Sequence, residues 1–242
     1  MGTAGWSIPR ALAHRFPAKG SALERYAARF PAAEVNSSFH RPHRRSTWQR
    51  WHDSVPETFR FSVKVPSEIT HQRRLIDCSG VLDQFTGEAA MLGEKLAAFL
   101  VQLPPKLAFH QETAAAFFDE LSIRSSAEIV CEPRHVSWLS SEATALFEDR
   151  KIARVVADPP ISPEAAVPAG WTGFSYWRLH GSPVIYRSSY ADRISELART
   201  LRSSAASGTV WCIFDNTASG AGAADGLQLL EDLKTAEEHR SF

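Results

Sequence analysis

Eight apolar, strand-like runs alternate with helical or loop connections from end to end. With no break in composition between them, they predict an α/β fold: a single (β/α)8 TIM-type barrel with a weak or missing sixth helix. Size agrees, because 242 residues at 44% hydrophobic suffice for one core of barrel dimensions. The Gly-rich first turn usual in open doubly wound sheets is absent. The expected organisation is therefore one TIM-barrel-like domain over 1–242.

Strands are expected at 3–6, 33–37, 59–65, 97–103, 128–132, 153–157, 174–180 and 209–214. SALERYAARF follows the first and STWQRWHDSV the second, where Ser46 reads as a cap. VLDQFTGEAAMLGEKL, ETAAAFFDELS and SSEATALFEDRK follow the next three strands. SYADRISELARTLRSSA and AADGLQLLEDLKTAEEHR (223–240) follow the last two. Many open on Ser, Thr or Asp, and all carry apolar residues at three- and four-residue steps. The sixth connection, DPPISPEAAVPAGW, holds four prolines and is expected to form no more than a turn of helix.

Alternation along each strand sorts its side chains into two faces. Phe59, Phe61, Val63 and Val65 share the face that must meet helices, which turns Ser62 and Lys64 inward. The same rule turns inward Tyr176, Arg178 and His180, Glu132 with Arg134, Gln102, and Glu34 with Asn36 and Ser38. It is also read as placing Asp158 at the rim, and the last strand closes on Asp215 and Asn216, whose facing stays open. Barrel enzymes build their sites at this C-terminal edge, and packing alone has no use for a ring of desolvated charges. Glu34 reads equally as a pocket group or as a deeper structural partner of an arginine. His40, His43, Arg44 and Arg45 read as a solvated loop, and Trp48 and Trp51 as core contacts of a short helix.

Zero formal net charge argues against a protein that coats nucleic acid by bulk electrostatics. Cys78, Cys131 and Cys212 are too few and too scattered for a disulfide framework or a zinc motif. No run of about 18 apolar residues and no signal-peptide pattern is present, so a cytoplasmic protein without membrane contact is expected. The oligomeric state is left open.

The segments GTAGWS, EVNSSFHR, FSVKVPSEITH, VQLPP, EPRHVSW, YWRLHG and FDN occur in an order that resembles the YecE-like family, domain of unknown function 72. The resemblance spans essentially the whole chain. It implies a TIM-type barrel and no particular reaction. Carried over residue by residue, it marks Asn36, Lys64, His71, Gln102, Glu132, Arg134, Arg178, His180 and Asn216. The chain departs from the family pattern at His40 (usually Tyr), Pro133 (usually Phe) and Asp215 (usually Asn).

These residues support three readings. The first is an enzyme, a hydrolase or lyase, binding an anionic phosphate- or carboxylate-bearing substrate in the barrel mouth. Arg134 and Arg178 would clamp the anion, and Glu132 and His180 would be the acid–base pair. Lys64 would act electrostatically, the preferred role, or as a Schiff-base nucleophile. Asn36, His71, Gln102, Tyr186, Asp215 and Asn216 would contact substrate. The loops GSPVIYRSSY and NTASGAGAAD would cradle a phosphate with Tyr186 and Arg187. The second reading, a phosphodiesterase or nuclease-like enzyme, adds a divalent metal on Glu132, Asp158, His180 and Asp215. No organic cofactor motif is present. The third is a non-catalytic module for a metabolite or a nucleic-acid phosphate.

Overall fold

The structure, a computed structural model, describes residues 1–238. Ten strands form in chain order: β1 Gly2–Thr3, β2 Ala32–Val35, β3 Arg60–Lys64, β4 Leu96–Gln102, β5 Glu128–Glu132, β6 Ile152–Arg154, β7 Val156–Asp158, β8 Ala169–Gly170, β9 Phe174–Leu179 and β10 Thr209–Phe214. Seven α-helices connect them: α1 Ala22–Ala27, α2 Arg45–Asp53, α3 Ser79–Ala89, α4 Gln111–Ser122, α5 Ser141–Asp149, α6 Ile194–Ala205 and α7 Ala221–Glu238. The last two residues of the helix expected over 223–240 lie outside the described residues.

Local chemistry explains several boundaries. Ser21 and Glu24 form a reciprocal capping box that starts α1. Ser140 accepts a hydrogen bond from the Ala143 amide at the start of α5. Ser46 is not a cap, because α2 begins one residue earlier and takes it into its first turn. The long helix expected after β3 ends as α3 and tightens into a 3-10 segment, Ala90–Lys95, where Gly93 adopts φ +52°.

The expected closed eight-stranded barrel is corrected by the strand pairing. One sheet has four parallel strands in the order β1-β10-β9-β7. The other has six, in the order β2-β3-β4-β5-β6-β8. The run 152–158 divides at Val155: β6 pairs with β5, while β7 pairs with β9. The other edge of β6 is taken by β8, antiparallel, with Ala153 opposite Gly170 and Arg154 opposite Ala169. The cause lies in the proline-rich sixth connection. It forms only the 3-10 turn Pro163–Ala166 and folds back along β6 instead of returning through a helix. At the opposite seam, β1 is two residues long, and a single bridge, Ala4 to Glu34, joins it to β2.

The apolar residues divide accordingly. One cluster fills the space between the six-stranded sheet and α1 to α5, with Phe61, Val63, Phe99 and Cys131 on the sheet side. A second packs Trp177, Leu179, Cys212 and Phe214 against α6 and α7. A third joins the inner faces of both sheets through Leu100, Val130, Val155, Tyr176 and Ile213. All three cysteines are free and buried. No described helix is long and apolar enough to cross a membrane.

Candidate functional site

Above the third cluster, the inner faces change from apolar to charged at the C-terminal ends of the strands. Arg178, fully buried on β9, is the centre. Its Nε and Nη2 donate to the two Glu34 oxygens at 2.9 and 2.7 Å, and Nη1 donates to Glu132 at 2.6 Å. Nη2 also reaches Asp215 at 3.1 Å. Tyr176 donates to Glu34 at 3.0 Å and lies 2.5 Å from the Ser62 hydroxyl beneath. A guanidinium has five N–H donors, and three carboxylates engage all three of its nitrogens.

His180 lies one inward step beyond Arg178. Its Nδ1 is 2.9 Å from Asp215 Oδ2 and its Nε2 is 3.0 Å from Glu132 Oε1. Arg134 contacts the same Glu132 oxygen, and its Nη2 is 3.0 Å from His180 Nε2. Burial disfavours an imidazolium here. Even so, the Glu132 charge and the hydrogen bonds to Asp215 and Glu132 raise His180 above its ordinary value of 6.5. Burial likewise works against Glu132, yet Arg178, His180 and Arg134 hold its carboxyl well below the usual carboxylate range. Asp215 is lowered against burial by Arg178 and His180.

Lys64 ends β3 on the inner face, only 7% exposed, with its ammonium 4.1 Å from the centre of the Phe39 ring. Among the described residues its Nζ makes no hydrogen bond or ion pair. Burial, then Arg178, lower its proton affinity, and the three carboxylates only partly offset them. His71 meets the same Phe39 ring edge-on at 5.1 Å, with Nδ1 2.8 Å from the Thr70 hydroxyl. Burial and the Lys64 charge lower its pKa. Asn36 follows the β2–β3 register one step past Val35 opposite Val63, which brings it beside Lys64. Its Oδ1 and the Nε of Arg134 are buried without a partner. Gln102 faces Glu132 in the β4–β5 register. The exposed Tyr186 ring stands at right angles to His180, 5.9 Å away.

The structure thus gathers Lys64, Glu132, Arg134, Arg178, His180 and Asp215, with Asn36, His71, Gln102 and Tyr186 around them. Three expectations are corrected. Arg178 is no free anion clamp, because its nitrogens are engaged by Glu34, Glu132 and Asp215. Asp158 does not join the cluster: Ala157 is the inward residue of β7, and Asp158 turns outward to Arg193 at 2.7 Å and the Tyr190 hydroxyl at 3.0 Å. Asn216 also turns outward, opposite to Asp215, and donates to Ser188 O and Asp225.

The phosphate cradle expected in the last two loops already holds a negative group of the chain. The buried Asp225 carboxylate accepts from Ser189, from the Tyr190 amide and from Asn216. The metal reading loses Asp158, and the remaining donors are engaged with arginines and with one another. Among the described residues, no group of three or more His, Cys, Asp or Glu is arranged to hold a metal ion. The sequence did not single out Phe39, which positions both Lys64 and His71. Its one signal was an aromatic residue within the polar run 36–41.

The family described as "Protein of unknown function DUF72" matches residues 1–241. The UPF0759 protein YecE of Escherichia coli K12 is 29% identical over 84 residues, covering 35% of this chain and 31% of that protein. The UPF0759 protein YunF of Bacillus subtilis 168 is 27% identical over 180 residues, covering 69% of this chain and 63% of that protein. The chain therefore spans about a third to two thirds of the length of these relatives. A DUF72 family protein of Enterococcus faecalis V583 superposes with a TM-score of 0.80 over 96% of this chain and 94% of its own. One from Thermotoga maritima MSB8 superposes with 0.79 over 96% and 98%. Both are 22% identical in sequence, a likeness that shows the fold alone. On the match across residues 1–241, the chain belongs to the DUF72 family.

Proposed function

We propose that the protein is an enzyme that binds a small phosphate- or carboxylate-bearing substrate at the C-terminal ends of the strands. The observation that carries this reading is a pair of cationic groups with donors left open beside a buried histidine. Lys64 Nζ has no hydrogen-bond or ion-pair partner among the described residues, and Arg134 keeps a buried Nε unpaired. Three carboxylates stand against Arg178, Arg134 and Lys64. Protonation of His180 then leaves the centre with one positive charge in excess. A buried excess cation favours an anionic partner.

Roles divide by what is engaged. Arg178 fixes the carboxylates, while Arg134 and Lys64 face substrate. His180 transfers protons, because its raised pKa keeps an imidazolium available near neutrality. Glu132, held ionised, is too weak a base to accept a proton readily, so it orients His180 and stabilises its charge. This fits hydrolysis or elimination assisted by an acid.

Calorimetric titration with inorganic phosphate and with oxalate tests the reading. One of them should bind the wild-type protein, and Arg134→Gln should weaken binding by about tenfold or more, the loss of one charge-assisted hydrogen bond. Failure of both anions to bind, or identical affinity in the variant, overturns it.

A further inference from the structure

Resting on that anion-binding reading, we infer that Lys64 is a nucleophile that forms a Schiff base with a carbonyl compound bearing a carboxylate or phosphate. The protein supplies its own comparison. Lys95, the other buried lysine, donates to the carbonyls of His52 and Val55, both at 2.9 Å, and lies 3.2 Å from a Glu57 oxygen. A lysine whose side chain is buried ordinarily gives its ammonium such partners. Lys64 has none among the described residues, although three carboxylates lie in the same centre, because Arg178, Arg134 and His180 engage them.

What holds Lys64 is the face of Phe39, 4.1 Å from Nζ at the ring centre, a contact that fixes the position of Nζ without occupying its hydrogens. Burial and the nearby Arg178 favour the neutral amine, the form that attacks carbonyl carbon. An amine that keeps some access to solvent on a largely buried side chain, held in place and free of partners at the end of a strand, suits covalent chemistry better than a structural role.

The step balances with groups on the page. Lys64 releases one proton to solvent, and its Nζ lone pair forms a C–N bond while the carbonyl π pair moves onto oxygen. One N–H proton passes to that oxygen, and the His180 imidazolium supplies a second. The C–O bond breaks, water leaves and a protonated C=N bond remains. This iminium carries the same positive charge as the original ammonium, and once His180 takes back a proton from solvent the excess charge that favours a bound anion is restored. It also withdraws electrons from the adjacent carbon, which selects elimination or C–C cleavage over hydrolysis as the reaction class.

The wild-type protein is incubated with glyoxylate, with glycolaldehyde phosphate, and with uncharged glycolaldehyde, each with sodium cyanoborohydride to reduce any imine. Labelled lysines are then mapped by mass spectrometry, and phosphate and oxalate binding is measured on the same sample. Labelling is expected chiefly at Lys64, with at least one charged probe exceeding glycolaldehyde by about tenfold, and suppressed by an anion that binds. Preference for glyoxylate assigns a carboxylate substrate, and preference for glycolaldehyde phosphate a phosphate. Anion binding with label only on the exposed Lys19, Lys106, Lys151 and Lys234 overturns the Schiff base and leaves the anion site standing. If neither anion binds and Lys64 stays unlabelled, both proposals fall.

Discussion

Arg178 is the residue on which the centre depends, and its surroundings give the protein a defined pH response. Burying a guanidinium is unfavourable unless its donors are met, and here Glu34, Glu132 and Asp215 meet them. Glu132 and Asp215 are lowered in the folded state, so their contribution is complete above their unfolded pKa and lost as pH falls through the folded values. His180 is raised, so its contribution is complete below its unfolded pKa near 6.5 and lost as pH rises through the higher folded value. Urea denaturation across pH is therefore expected to show declining stability on both sides: below about pH 4, and on the alkaline side beginning above 6.5. Replacing His180 with Gln should remove the alkaline decline. A stability curve that stays flat from pH 6 to 9 (about the range in which histidine titrates) would contradict the His180 assignment. Asp215 is one of the two carboxylates that hold His180, so it places a negative charge at the centre itself.

The strands and their connections show which elements the sequence revealed. Residues 128–132 and 209–214 form strands as expected, and alternation correctly turned Glu132, Arg178 and Lys64 to one side. Alternation also holds across the break at Val155, where Ala153 and Val155 stay on the inner face and Val156 on the outer one. Counting through Val155 leaves Asp158 on the outer face, and Asn216 lies one residue past an inward Asp215. Apolar pattern cannot reveal which edge a three-residue strand offers, so the pairing of β6 with the returning β8 was not legible. That hairpin has a specific requirement at Gly170, where φ is +68° and an added Cβ would lie 2.6 Å from Ile152 O and 2.9 Å from the Phe147 Cβ. Gly170→Ala should therefore destabilise the protein by about 1–3 kcal/mol in denaturant unfolding, through backbone strain and overpacking. A change within about 0.5 kcal/mol, as at an unconstrained surface position, would contradict the β6–β8 pairing.

Across the molecule, two sheets meet around one interior, and strand ends far apart in sequence converge on a single charged layer. The resemblance to DUF72 and the alternation of strands located that layer. Its internal hydrogen bonding was not legible, because parity gives the face of a side chain but not its partner. Hence Arg178 looked available when three carboxylates hold it, and Phe39 went unnoticed though it seats Lys64. The central claim is that this layer carries an excess positive charge with His180 protonated and receives an anion beside it. NMR titration of the His180 ring, with and without inorganic phosphate or oxalate, tests this most directly. The account predicts a pKa above 6.5 that rises further with the anion that binds, because a nearby negative charge favours imidazolium. A His180 that titrates at or below 6.5 and responds to neither anion would contradict it.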